Sequence, residues 1–184
     1  YEIIHTVDSV KNEDSALAAA KRGKNTSMWL SIESVKNKIS DIVLSAGNTG
    51  ALFVIAKLNL DMIENIDKPA LSGLWPNKTG MNVVLDLGAN IDCSEKNLRD
   101  FSIMGAALHK SLYPNEISKV ALLNIGSEEL KGNSIIKNTY QELSKYNNSL
   151  FEFKGYVEGN NIMSGEVNVI ISDGFTGNIA LKTA

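Results

Sequence analysis

The sequence predicts an α/β fold: a largely parallel sheet flanked by helices. Three observations predict it. A short apolar run rich in branched residues recurs along the chain. Each run is followed by a loop of Gly, Asn, Asp and Ser, and each loop leads into a segment with helical character. Strand, loop and helix in repetition build βα units around a parallel sheet. The runs are almost continuously apolar, as strands covered on both faces require.

The elements follow in order. Residues Tyr1 to His5 read as a strand. Ser15 to Arg22 reads as a helix with basic residues in its last turn, closed by Gly23. Thr26 or Ser27 can cap a second helix from about Met28 to Lys38, because Met28, Ile32, Val35 and Ile39 recur at helical steps. The first βα unit is the strand Asp41–Ser45, the loop Ala46–Gly50 and the helix Ala51 to Leu60. The second is Asn82–Asp86, Leu87–Asn90 and a helix with Leu98, Phe101, Met104, Leu108 and Leu112 on one face. The third is Val120–Asn124, Ile125–Glu129 and a helix carrying Ile136, Tyr140 and Leu143. The fourth is Val167–Ser172, Asp173–Asn178 and a final helix to Ala184. Weaker strands at about Ala70–Leu74 and Leu150–Lys154 fit between them, and Asn77 to Gly80 reads as a turn between neighbouring strands.

Composition narrows the function classes. A chain of 184 residues suits a single α/β domain spanning 1–184. A net charge of -3 does not suggest a nucleic-acid binder. One cysteine, Cys93, excludes a disulfide framework within the chain and fits a reducing cytosol. No apolar run reaches the roughly 18 residues of a membrane span. The opening strand lacks an initiator Met and the final helix simply stops, so the chain reads as a fragment of something longer.

In a parallel sheet the four Gly-containing loops lie at the carboxyl ends of their strands, along one rim, where ligands of open α/β sheets bind. Gly lets backbone N–H groups approach a ligand, the helix starts that follow attract negative charge, and Asn48, Thr49, Asn90, Thr176 and Asn178 add neutral donors. Phosphate is the simplest ligand for such a surface. Each signal has a plainer reading. Ser45–Gly50 is neither a Walker loop nor a dinucleotide loop, and could be a structural βα turn. The same holds for Asp173–Asn178. Lys131 is either a solvated lysine or a phosphate or oxyanion contact. Glu128 and Glu129 read as a charged loop or as a pair of carboxylates acting as base, and Asp86 either caps a turn or orients a site residue. Cys93 needs a nearby base to act as a nucleophile, and nothing places His5 or His109 beside it, so its reading is structural. Trp29 and Trp75 read as packing residues, and Arg22 to Lys24 as a solvated turn or a contact for an acidic partner.

Several segments resemble the bacterial phosphate acyltransferase (PlsX) family. They are Ser45–Ala51, Leu85–Asn90 with Cys93, Leu123–Glu129 with Lys131–Asn133, Tyr156–Gly159, and Ser172–Asn178 with Leu181–Thr183. They stand in the family's order and spacing, and the resemblance covers essentially the whole chain. One departure is Asn160-Asn161, where the family usually has Arg-Asp. The resemblance implies a fold related to the isocitrate and isopropylmalate dehydrogenases. It also implies transfer of an acyl group from acyl carrier protein to inorganic phosphate, giving acyl phosphate for phospholipid synthesis. Such enzymes are cytoplasmic homodimers that meet the membrane peripherally. The family's opening strand and its carboxyl-terminal helices, implicated in dimerisation and membrane contact, are missing from this chain.

The expected mechanism is direct displacement by phosphate, with no nucleophilic side chain, cofactor or metal. Lys131 and Asn178 are the expected catalytic residues, stabilising phosphate charge or the developing oxyanion. Gly47, Asn48, Thr49, Gly50, Gly88, Asn90, Gly132, Asn133, Asp173, Gly174 and Gly177 are the expected substrate-binding residues. The rival readings are a phosphotransacetylase-like enzyme acting on a coenzyme A thioester and a non-catalytic phosphate- or acyl-ligand-binding domain.

Overall fold

The computed structural model describes residues 2–146 and 149–183. Tyr1, expected in the opening strand, and Ala184, expected in the final helix, lie outside the described residues. The chain divides into two compact units, Tyr1–Asn65 and Ile66–Ala184.

The first unit is helical. Helix α1 (Ala16–Arg22) starts where the Ser15 hydroxyl accepts from the Ala18 N–H and ends at Gly23. Helix α2 (Ser27–Lys36) starts where the Thr26 hydroxyl accepts from Trp29 N. Helix α3 (Thr49–Asn59) is capped by the Asn48 side chain. Ala19, Met28, Ile32, Ala51 and Ile55 form the buried core that joins the three. Two expected strands do not form here. Residues 2–5 and 42–45 run without ladder bonds to any described strand, and Ile42 and Leu44 stand 81% and 95% exposed. The run 41–45 has a strand's composition, but a strand needs a partner for its backbone groups. The helical stripe expected through Ile39 also stops short: the helix ends at Lys36 and Ile39 is exposed.

The second unit carries the sheet. Its strands are β1 (Ser72–Pro76), β2 (Met81–Leu85), β3 (Lys119–Asn124), β4 (Glu152–Glu158) and β5 (Val169–Ile171), in the order β1-β2-β5-β3-β4. Strand β1 pairs antiparallel with β2 through the expected turn, where Asn77 N donates to the Gly80 carbonyl at 2.9 Å. The remaining pairs, β2 with β5, β5 with β3 and β3 with β4, are parallel. The α/β class and the largely parallel sheet are therefore as expected.

Side chains alternate across the strands, so each strand feeds two cores. Val83, Leu85, Val120, Leu122, Val169 and Ile171 point to one face. That face is covered by helix α4 (Glu95–Leu112), through Leu98, Phe101 and Ala106, and by helix α5 (Ser134–Lys145), through Ile136 and Leu143. Val84, Ala121, Leu123 and Ile170 point to the other face, where they meet Trp75, Val157, Ile162 and Val167, with Ala180 of helix α6 (Gly174–Thr183) against them. The helices after β2 and β3 thus pack on one face and the helix after β5 on the other. Strand β5 lies between β2 and β3, so this divergence opens a crevice at their carboxyl ends, where open α/β sheets bind ligands.

Candidate functional site

The loop after β2 is organised by Asp86. This fully buried carboxylate accepts from the backbone N–H groups of Leu71, Gly88, Ala89 and Asn90 at 2.8–3.2 Å, and from the Asn90 amide at 2.8 Å. A buried carboxylate is tolerable when several N–H groups surround it. The second amide bond of Asn90 goes to the Pro69 carbonyl at 2.7 Å. Asn90 therefore braces the loop with both of its N–H groups.

The loop after β5 is locked onto the loop after β2. Gly174 N donates to the Asn90 carbonyl at 2.7 Å, and Asn178 Nδ2 donates to the Leu87 carbonyl at 3.1 Å. Gly177 passes so close to the Asp86 carbonyl that a Cβ there would overlap it. Asp173 caps α6: its carboxylate accepts from Thr176 N at 2.8 Å and from the Thr176 hydroxyl at 2.9 Å. The start of α6 already holds an anionic side chain.

The loop after β3 is organised by a residue that sequence reasoning missed. The Asn124 amide donates to the Gly126 and Lys131 carbonyls, each at 3.2 Å, and folds residues 125–131 into a compact turn. Its only signal in the sequence is that it ends a buried apolar run, as Asp86 does. Gly132 has φ +91° and lies against the Asn124 side chain, a position that a Cβ would block at 2.6 Å. Asn133 then caps α5 by accepting from Ile136 N at 2.9 Å. This helix start has a neutral cap, and the exposed Lys131 stands just before it.

Two clefts join these loops. The larger, about 640 Å³, is bounded at the rim by Asn124, Gly132, Asn133, Asp173 and Thr176. The smaller, about 310 Å³, is lined by Asn133, Asp173, Phe175 and Thr176 together with Ile91 and Cys93. The structure thus brings Gly132, Asn133 and Asp173 together, and ties Gly88 and Asn90 to Gly174, Gly177 and Asn178 through the Asp86 loop. Burial, with the Asp86 charge nearby, pushes the Cys93 thiol up to about 11, so it is a poor thiolate source. Among the described residues, no group of three or more His, Cys, Asp or Glu is placed to hold a metal ion.

The remaining expected residues belong to the first unit. Asn48 accepts from Ala51 N at 3.0 Å and donates to the Lys11, Asn12 and Asp14 carbonyls at 3.3, 3.0 and 2.9 Å. Its amide holds the segment before α1 against the start of α3. Gly47, Thr49 and Gly50 are exposed around that start.

A family model described as fatty acid synthesis protein matches residues 1–184. The chain belongs to this family. Among curated relatives, it is 74% identical over 184 residues to the phosphate acyltransferase of Pelagibacter ubique strain HTCC1062, covering 100% of this chain and 55% of that protein. It is 44% identical to the phosphate acyltransferase of Maricaulis maris strain MCS10 over 183 residues, or 100% of this chain and 52% of that protein. It is 46% identical to that of Neorickettsia sennetsu strain Miyayama over 183 residues, covering 100% and 53%. The chain therefore spans about half the length of the family members it matches. Among the described residues of this family member, no helix is long and apolar enough to cross a membrane.

Proposed function

We propose that the full-length protein is a phosphate acyltransferase that converts acyl-ACP and inorganic phosphate into acyl phosphate for phospholipid synthesis. The observation that supports it is the meeting of an apolar cleft with Gly132 and Asn133 at the start of α5, in a chain of the fatty acid synthesis family. An acyl thioester needs apolar space and phosphate needs N–H donors and positive charge; both stand side by side here. Of the two helix starts at the cleft, that of α5 suits phosphate better. Its cap is neutral and Lys131 precedes it, whereas α6 begins under the Asp173 carboxylate.

In this reading, a phosphate oxygen attacks the thioester carbonyl carbon. The C–S bond then breaks, the carrier leaves as its thiolate, and acyl phosphate is formed. Phosphate is already anionic, so no side chain has to act as nucleophile. Lys131 offsets phosphate charge or the developing oxyanion, and Asn178 contributes the amide N–H not given to Leu87. Gly88, Asn90, Gly174 and Gly177 keep the rim in shape, and Asp173 and Asn133 fix the two helix starts. In the first unit, Thr49 and Gly50 at the start of α3 offer N–H groups that suit an anion, while Gly47 N donates to the Ser45 hydroxyl at 3.2 Å. The same reading makes the protein a cytoplasmic homodimer that docks acyl carrier protein and meets the membrane peripherally.

The test is acyl-ACP plus phosphate with the full-length protein, acyl phosphate being the product detected and acyl-CoA the comparison donor. Thioester loss that does not depend on phosphate rejects the reading, and a preference for acyl-CoA moves it to a phosphotransacetylase. Lys131→Ala is expected to lower turnover by about 10²–10³, the usual cost of losing one oxyanion donor. A near wild-type rate removes Lys131 from the chemistry.

A further inference from the structure

The larger cleft extends well beyond the rim. Its polar residues lie at the carboxyl ends of β3 and β5, whereas Trp75, Leu123, Ile162 and Ile179 give it an apolar floor and wall. The far end is fixed by the chain. Trp75 pairs with Asn82, at the amino end of β2, and the Asn82 amide donates to the Ile162 carbonyl at 2.5 Å. The Met163 carbonyl accepts from Lys78 N at 3.0 Å, in the turn between β1 and β2. From Asn82 to Leu85 the strand advances about 10 Å at roughly 3.3 Å per residue. The cleft therefore runs down the sheet, from polar loops at one end to Ile162 and Met163 at the other. Its volume of about 640 Å³ falls within the range of small-molecule sites.

A long, apolar, partly open cleft with polar loops at one end matches the shape and polarity of an alkyl chain whose carbonyl reacts at those loops. We infer that this cleft is the acyl-chain subsite, and that Met163 at its far end sets the longest chain accepted. This rests on the acyltransferase reading. The carbonyl then sits by Gly132 and Asn133, and the chain descends between Leu123 and Ile179 towards Trp75. Met163 is 36% exposed and Ile179 is 49% exposed, so both can change size without disturbing the core.

The experiment compares kcat/KM for acyl carrier protein loaded with an eight-carbon or a sixteen-carbon chain, using the full-length protein. Met163→Trp shortens the channel and is expected to lower the sixteen-to-eight preference at least about tenfold, in line with the size discrimination of apolar pockets. Met163→Ala is expected to shift it the opposite way. Ile179→Trp narrows the channel from the α6 side and should also disfavour the longer chain, which keeps the test open if Met163→Trp does not fold. Unchanged preference in folded, active variants overturns the subsite while leaving the acyltransferase reading intact. The subsite is equally overturned if the variants lower the melting temperature but not the preference, because the cleft would then be filled by protein. Wild-type protein that makes no acyl phosphate from either chain overturns the acyltransferase reading itself, and the subsite with it.

Discussion

At the scale of single residues, side chains with ligand-like chemistry mostly hold loops in shape. Asn48, Asn90 and Asn124 read from the sequence as possible donors or go unnoticed, yet each directs its amide to backbone carbonyls. Composition cannot separate the two uses, because an amide donates equally well to phosphate and to a carbonyl. The tightest constraint is a glycine. Gly177 packs against the Asp86 carbonyl and the Ser172 hydroxyl, so Gly177→Ala must push apart the two loops that meet there. We expect a loss of about 3 kcal/mol, the upper part of the range for overpacking. Gly159 has nothing within 4 Å of a built Cβ, and Gly159→Ala should stay within about 0.5 kcal/mol. Urea unfolding of both variants is the check. Equal stabilities would mean that the loops separate without cost.

At the scale of elements, α4 was the most legible helix and also does most to fill the core beneath the sheet. Its start is a capping box: the Ser94 hydroxyl accepts from Asn97 N at 3.3 Å and the Asn97 side chain accepts from Ser94 N at 3.0 Å. Phe101, fully buried, joins Leu98 in the cluster beneath β2, β5 and β3. The two contributions are separable. Ser94→Ala should cost about 1 kcal/mol, the usual value of an N-cap. Phe101→Ala should cost about 3–5 kcal/mol, from lost burial and the cavity left behind. Denaturation midpoints at constant m-value measure both, and a larger loss for Ser94→Ala would reverse this ranking. The segment 41–45 shows the opposite case. Its apolar run was legible, but a strand also needs a neighbouring strand, and periodicity in one segment says nothing about that.

At the scale of the whole molecule, acid should act in two stages. His109 is buried on α4. His109 Nδ1 and the Ser118 hydroxyl are hydrogen-bonded at 3.0 Å, and that hydroxyl lies 3.2 Å from the Ala106 carbonyl. Nε2 lies 3.7 Å from the exposed Glu116 carboxylate. Burial lowers the His109 pKa, Glu116 opposes this in part, and Lys110 adds to it. A lowered histidine pKa means that the unfolded chain binds the proton more readily. This stability is therefore complete above the unfolded value of about 6.5 and is lost as pH falls below it. The second stage belongs to Asp14, Glu95 and Glu152. They are held below the usual carboxylate range by the Lys11 N–H with Arg22, by the Asn138 amide and by Lys154, respectively. Their share is present above the unfolded carboxylate values and disappears as pH falls through the lowered ones. Melting temperature should be level between pH ~6.5 and ~8, decline below ~6.5, and fall again below pH ~4. His109→Asn keeps a hydrogen-bonding amide beside Ser118 and should flatten the first decline; an unchanged decline would remove His109 as its source.

By itself, the sequence determined the α/β class, the helices, the Thr26 cap and the Gly23 stop, and the loops that follow β2, β3 and β5. These are local matters: apolar runs, helical spacing and side chains that reach a few residues along their own chain. Only the tertiary structure decided which apolar runs found partners, which face of the sheet each helix covered, and where a cleft remained. Strand β5 entering between β2 and β3, with α6 leaving on the face opposite α4 and α5, created that cleft. It joins residues as distant in the chain as Trp75, Asn133 and Ile179. Such a space is made by long-range packing, and no local pattern of residues encodes it.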